Sequence, residues 1–314
     1  MTELVIVSGK GGTGKTSLVG SLAALSRESV LVDCDVDAAD LHLILQNRLQ
    51  QSSDFIGGKR ASINEEKCLK CGICTEYCRF DAIKYEFSAD SPFSERYVID
   101  KHACDGCGVC VRHCPEEAID FQEVTSGEWY LSDTPYGPLV HARLGLAQAN
   151  SGKLVSLLRQ QARSLADEKG MDIIIVDGPP GIGCPVIASI TGSSYILIVT
   201  EPSMSAIHDM ERLLQLTKHF GIPTGICINK ADINPALTSH IESFAAKQQI
   251  RILGKIPFDP AVTSAQMAGT NIIDHLADGA STNLKHLWGE IREELMEHSD
   301  NPLQLKQEII KPGK

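Results

Sequence analysis

The sequence has no apolar run approaching the length that crosses a bilayer, and its first residues, Met1-Thr2-Glu3, carry neither a basic stretch nor a cleavage site. It has no excess of positive charge either: 29 Lys and Arg stand against 40 Asp and Glu, a formal net charge of −11. Phosphate backbones and anionic lipid both call for Lys and Arg, so neither nucleic acid nor a membrane is an expected partner. A basic amphipathic helix at the C-terminal end is missing as well. Asn283 to His298 reads as an acidic helix, and a polar tail, residues 299–314, follows. Together these absences make the cytoplasm the expected location.

What is present is ordinary in bulk and unusual in detail. With 314 residues, 43% of them hydrophobic and 22% charged, the chain can bury a large core in one or two domains. Eleven cysteines are many for a reducing compartment, where they point to metal rather than to disulfides.

Near the start, the apolar run Leu4-Val5-Ile6-Val7 leads into Ser8-Gly9-Lys10-Gly11-Gly12-Thr13-Gly14-Lys15-Thr16, and Ser17 to Leu25 then reads as helix. Strand, glycine-rich loop and helix in that order form a P-loop. Gly9, Gly11, Gly12 and Gly14 let backbone N–H groups of the loop, from Gly9 through Thr13 to Ser17, turn onto a polyphosphate at a helix N-terminus. Lys15 pairs with the β- and γ-phosphates, and the Thr16 hydroxyl is a Mg²⁺ ligand.

Two further strand ends carry acids. Ser29 to Asp33 reads as a buried strand that ends in Asp33-Cys34-Asp35, with a helix expected from about Ala38. Met171 to Val176 is a continuous apolar run of the kind buried on both faces of a parallel sheet. It ends in Asp177-Gly178-Pro179-Pro180-Gly181, where Asp177 holds Mg²⁺ through water. Buried strands are also expected at Tyr195–Thr200 and Gly225–Ile228, the latter ending in Asn229-Lys230-Ala231-Asp232.

Between the first two acidic strand ends the composition changes. Gln46 to Arg60 is polar and glycine-rich, with Gly57-Gly58 as a hinge. Cys68-x-x-Cys71-x-x-Cys74-x-x-x-Cys78 follows, then Cys104-x-x-Cys107-x-x-Cys110-x-x-x-Cys114-Pro115. This spacing resembles the bacterial ferredoxin run, twice over. In such a run three close thiolates hold one cluster and the fourth reaches its neighbour. One [4Fe–4S] cluster is therefore expected on Cys68, Cys71, Cys74 and Cys114, and another on Cys104, Cys107, Cys110 and Cys78. Asp81-Ala82-Ile83 and Glu117-Ala118-Ile119 repeat a short helical turn, Phe87 to Arg96 reads as a surface loop, and Thr125-Ser126-Gly127 as a turn. Cys34, Cys184 and Cys227 fall outside the runs and read as small buried hydrophobes.

The run Lys10-Gly11-Gly12-Thr13-Gly14-Lys15-Thr16 resembles the deviant Walker A motif of the MinD/ParA/Mrp ATPases, to which nitrogenase iron protein also belongs. The resemblance implies a dimer in which Lys10 reaches the nucleotide of the facing subunit. It also implies that Asp33 supports the magnesium shell and that Asp35 orients or deprotonates the attacking water. Asn229 would contact the base, with Pro257, in Ile256-Pro257-Phe258-Asp259-Pro260, on a second base-contacting loop. ATP is the expected nucleotide, although Asn229-Lys230-Ala231-Asp232 is also the guanine-reading pattern and leaves GTP open.

The fold class expected is thus α/β: a mostly parallel P-loop sheet flanked by helices, formed by residues 1–59 and 123–298, with a ferredoxin-type α+β domain inserted at 60–122. The cofactors expected are ATP, Mg²⁺ and two [4Fe–4S] clusters. The partners are a second copy or a related ATPase, and a redox or cofactor-biogenesis protein. The leading expectation for function is ATP-gated electron transfer through the clusters. An iron–sulfur or metal-cofactor assembly ATPase of the Mrp kind and a redox-sensing ParA/MinD-type positioning switch are the alternatives.

Overall fold

The protein is described here from a computed structural model that covers residues 1–88, 91–145, 151–276 and 278–299. Most of the expected polar tail, from residue 300 on, lies outside the described residues.

The chain opens with β1 (Thr2–Ser8), α1 (Lys15–Ser26) and β2 (Ser29–Asp33). A single 3₁₀ turn at Leu41–Leu43 stands where a helix was expected from Ala38. There follow β3 (Arg48–Ile63), α2 (Ile73–Glu76), β4 (Ile83–Ser88), β5 (Ser91–Ile99), α3 (Val109–Arg112), β6 (Ile119–Thr134) and β7 (Gly137–Leu144). The rest alternates: α4 (Ser151–Lys169), β8 (Ile173–Pro180), α5 (Cys184–Ile190), β9 (Tyr195–Thr200), α6 (Met204–His219), β10 (Thr224–Asn229), α7 (Pro235–Lys247) and β11 (Ile252–Ile256). Three helices close it: α8 (Pro260–Met267), α9 (Ile272–His275) and α10 (Ala280–Ser299).

Nine strands form one sheet in the order β11-β10-β9-β1-β8-β2-β7-β6-β3, and β4 pairs with β5 in a separate antiparallel pair. The pairings of β1 with β8 and β9, of β2 with β8 and β7, and of β10 with β9 and β11 are parallel. The central strands are apolar on both faces because helices cover both. Leu4–Val7, Ile174–Val176 and Ile196–Val199 are all fully buried.

The chain divides into two compact units. Among the described residues, one holds Met1–Ser52, Trp129–Arg143 and those from Ser151 to Ser299; the other holds those of Ser53–Glu128 with a short return beginning at Leu144. The first unit carries the apolar core, in which α1, α9 and α10 pack on the sheet through Leu18, Leu22, Ile272, Leu284, Leu287 and Ile291.

Within the second unit the sequence repeats at a constant offset of 36 residues, Cys68 to Cys104. The backbone repeats with it. Gly72 and Gly108 are left-handed N-caps of α2 and α3, and Asp81 and Glu117 are left-handed, at φ 53° and 50°. The two halves are tied crosswise, Asn64 N donating to Ala118 O at 2.8 Å and Asp100 N to Ala82 O at 2.7 Å. The Tyr77 and His113 rings, at equivalent positions, stack with centroids 3.8 Å apart.

Several expectations are corrected. The stretch read as a glycine hinge is the 16-residue strand β3, and the turn read at Thr125–Gly127 is the interior of β6. Phe87 to Arg96 contributes to the β4–β5 hairpin in its described part rather than to a loop. Asp81 and Glu117, both left-handed, close turns that begin at Cys78 and Cys114, and the chain then enters β4 and β6 rather than a helical turn. The fold class itself changes. The long strands leading into and out of residues 64–118, β3 and β6, are paired within the nine-stranded sheet. The fold is therefore a mixed α/β P-loop sheet flanked by helices, not a P-loop domain carrying a separate ferredoxin-type insert.

Candidate functional site

Strand register brings the acids together. Asp33 on β2 and Asp177 on β8 are direct neighbours in the parallel ladder, and Ile6 of β1 lies across from Asp177 on the other side. The P-loop leaves the end of β1, so its lysine enters an acidic niche. Lys15, only 6% exposed, donates to Asp177 Oδ1 and lies 3.9 Å from Asp35 Oδ2. Burial would lower the Lys15 pKa, but the charges of Asp177, Asp33 and Asp35 more than reverse this and hold it above its ordinary value.

The acids respond in kind. Burial, with the Asp177 charge adding to it, pushes Asp33 well above the carboxylate range, against the opposing pull of Lys15 and of the N–H groups of Leu41 and Asp35. Asp35 is pushed up to about 6, chiefly by desolvation. Asp177 Oδ2 is buried and has no hydrogen-bond partner. Such an orphaned oxygen fits a ligand that brings its own positive charge or donors.

The second lysine of the loop faces elsewhere. Lys10 Nζ lies 2.7 Å from Glu201 Oε1 and donates to Ser203 Oγ at 3.1 Å and Ser205 Oγ at 3.3 Å, at the junction of β9 and α6. Lys230 Nζ reaches the same carboxylate, 2.9 Å from Oε2, and donates to the P-loop carbonyl of Gly12 at 3.1 Å. Burial alone would raise the Glu201 pKa; hydrogen bonds from both lysines bring it below the usual range.

Asn229 is tied to the loop as well, its Nδ2 donating to Thr13 O at 2.7 Å and its Oδ1 accepting from Lys230 N at 3.0 Å. Gly14, the left-handed N-cap of α1 at φ 86°, passes so close to Asn229 that no side chain fits. Gln266 of α8 donates to Ser17 Oγ at 2.6 Å, and Asp232 Oδ1 accepts from Phe258 N at 2.6 Å. Pro257 is half-buried beside Phe258. Glu201 and Gln266 were not picked out from sequence, where the only signal was an acid following a buried strand.

The cysteines are placed in the second unit. Cys68, Cys71, Cys74 and Cys114 line one cavity; Cys78, Cys104, Cys107 and Cys110 line another. All are free. Among the described residues, however, no group of three or more His, Cys, Asp or Glu side chains is arranged to hold a metal ion. Chain spacing sets which thiols share a cavity without bringing three donors to one centre. The two resident [4Fe–4S] clusters, the ferredoxin identity of residues 60–122 and electron transfer through the clusters are corrected on this finding. Of the other cysteines, Cys34 and Cys227 are buried as expected, whereas Cys184 is exposed.

Residues 4–272 match the family model described as the CobQ/CobB/MinD/ParA nucleotide binding domain. The chain belongs to this family. It is a P-loop ATPase. An uncharacterised protein of Methanocaldococcus jannaschii is 31% identical over 295 residues, 93% of this chain and 96% of the relative. A cytosolic Fe–S cluster assembly factor Nubp1 homolog of Drosophila grimshawi is 28% identical over 134 residues, 36% of this chain and 43% of that protein. Among solved structures, the cell-division ATPase MinD of Pyrococcus furiosus superposes with a TM-score of 0.55 at 18% identity, covering 93% of this chain and 98% of that one. At this identity the likeness concerns the fold. ATPases of the family dimerise and act with partner proteins. Among the described residues no helix is long and apolar enough to cross a membrane.

Proposed function

We propose that this chain is a Mg²⁺-dependent ATPase of iron–sulfur or metal-cofactor assembly, working as a dimer with itself or with a related ATPase. The observation that carries the reading is the similarity to the Fe–S cluster assembly factor Nubp1 homolog. A cluster or metal ion is here substrate, handed to a recipient protein, and not a resident group.

The residues at the P-loop define the work at the nucleotide. A polyphosphate entering the cradle competes with Asp177 for Lys15, which then neutralises the β- and γ-phosphates. Asp35, once ionised, orients or deprotonates the attacking water. Lys10 adds charge at the phosphates, and Asn229 with Pro257 borders the base. The orphaned Asp177 oxygen fits a Mg²⁺ ion, which Thr16, Asp177 and the support of Asp33 would hold. Mg²⁺ is commonly bound through one or two protein oxygens and the substrate phosphates, and needs no cage of three side chains. Bound there, it would offset phosphate charge. Asp232 Oδ1 already accepts from Phe258 N, so reading guanine there would compete with that bond, and ATP is the preferred nucleotide.

The test is delivery of radiolabelled iron to an apo iron–sulfur recipient, with and without ATP, for the wild type and Lys15→Ala. The reading expects delivery that requires ATP and is lost in the variant along with hydrolysis. Hydrolysis without any ATP-dependent delivery would overturn it.

A further inference from the structure

The two lysines of the P-loop are each held by an acid from a different strand end. Lys15 is held by Asp177 of β8, Lys10 by Glu201, the residue that follows β9. Only the first arrangement belongs to the acidic niche where a magnesium ion fits. Glu201 lies apart from Asp33, Asp35 and Asp177, and neither Ser203 nor Ser205 has a place in the chemistry described above. Their shared property is that all three accept from Lys10 Nζ, so the ammonium has a complete set of acceptors inside its own chain.

We propose that Glu201 is a positioning residue for Lys10: with Ser203 and Ser205 it forms a catch that holds the ammonium at the β9–α6 junction until nucleotide phosphate draws it away. The proposal rests on the reading that Lys10 acts at the phosphates. Lys230 makes the catch reversible. It shares the Glu201 carboxylate and is anchored on Gly12 O, so when Lys10 departs the half-buried acid keeps a counter-charge. A carboxylate served by Lys10 alone would be left unpaired, and release would cost far more. The two serines add neutral acceptors without adding charge, a further reason that the hold is moderate.

A catch of this kind stabilises only the nucleotide-free state, so weakening it changes KM and leaves kcat nearly constant. The experiment is steady-state ATP hydrolysis by the full chain as wild type, Glu201→Gln, Ser205→Ala, Lys10→Ala and the double variant Glu201→Gln/Lys10→Ala. Glu201→Gln keeps the shape while removing the charge, and leaves one acceptor oxygen where Lys10 and Lys230 each had their own. It is expected to lower KM about fivefold, with kcat within about twofold. Ser205→Ala leaves the Lys230 contacts and the Ser203–Ala206 cap bond in place, removing only the Lys10 bond and a 3.5 Å contact with Ser203 Oγ, and shifts KM the same way by a smaller factor. With Lys10→Ala in place, Glu201→Gln no longer moves KM.

An unchanged or raised KM in Glu201→Gln, or the same shift with and without Lys10, overturns the proposal, since Glu201 would then act only as a prop for Lys230 and the loop. Hydrolysis unaffected by Lys10→Ala would instead overturn the reading of Lys10 itself. The single Lys10 variant therefore separates the two failures.

Discussion

Asn229 and Gly14 occupy one another's space: the Asn229 amide that donates to Thr13 O lies where a β-carbon on Gly14 would have to be. Gly14→Ala therefore meets two penalties, a left-handed backbone at φ 86° and a clash with a side chain already committed to the loop. We expect a loss of about 2–4 kcal/mol in the stability of the nucleotide-free protein and a large loss of ATP affinity. Gly11→Ala, with open space around its β-carbon and no positive φ, should leave chemical denaturation unchanged. Equal denaturation midpoints for the two variants would refute the argument.

Lys15 neutralises acids as well as awaiting phosphate. In Lys15→Met, Asp33 and Asp177 remain buried side by side without their cation. The expected cost is about 3–5 kcal/mol at pH 8. Because burial already raises the Asp33 pKa above its unfolded value, protonation favours the folded state. The deficit should thus shrink as pH falls and grow as it rises, and denaturation of variant and wild type across pH 5–8 reads the difference directly.

Glu3 of β1 is buried with Arg159 of α4, Nε to Oε1 2.5 Å, and Arg159 also donates to the carbonyls of Ala188 and Thr191 near the end of α5. Arg163 joins Glu3 from a half-exposed position. Arg159→Met leaves Glu3 Oε1 and two carbonyls without their buried donor, only Arg163 remaining on Oε2, and should cost about 3–5 kcal/mol. Arg163→Met should cost about 1 kcal/mol or less. Comparable losses would mean that burial is not what sets the strength of this network.

His141 is buried against His42 and Tyr130, with Nε2 3.1 Å from Ser132 Oγ. Burial and the His42 charge lower its pKa from 6.5 to about 4. The folded value lies below the unfolded one, so this contribution is complete above pH 6.5 and lost as pH falls toward 4. It amounts to about 2–3 kcal/mol. His141→Gln should flatten that part of the stability profile; an unchanged slope would show that other groups set it.

The nucleotide half of the molecule was legible in the sequence because its signals are local. Leu4–Val7 and Ile173–Val176 are unbroken apolar runs, and glycine or aspartate marks their ends. β3 and β6 were misread since their residues are polar and interrupted by Gly57-Gly58 or Thr125-Ser126-Gly127, patterns that a long, partly exposed strand shares with turns. Glu201 was invisible because its meaning lies in Lys10, far away in sequence. The cysteines expose a different limit. Spacing along a chain says which thiols can be neighbours, while metal ligation needs donors converging to within a fraction of an ångström.

The crossed backbone bonds of the 36-residue repeat, Asn64 to Ala118 and Asp100 to Ala82, have a consequence for folding. Each half supplies the partner that ends the other, so neither is closed alone. Opening one half strips the other of a hydrogen bond and, through Tyr77 and His113, of a stacking surface. Residues 64–118 should therefore open as one cooperative foldon, the amides of Asn64 and Asp100 exchanging with solvent at a common rate, and a proteolytic nick in either repeat should release both.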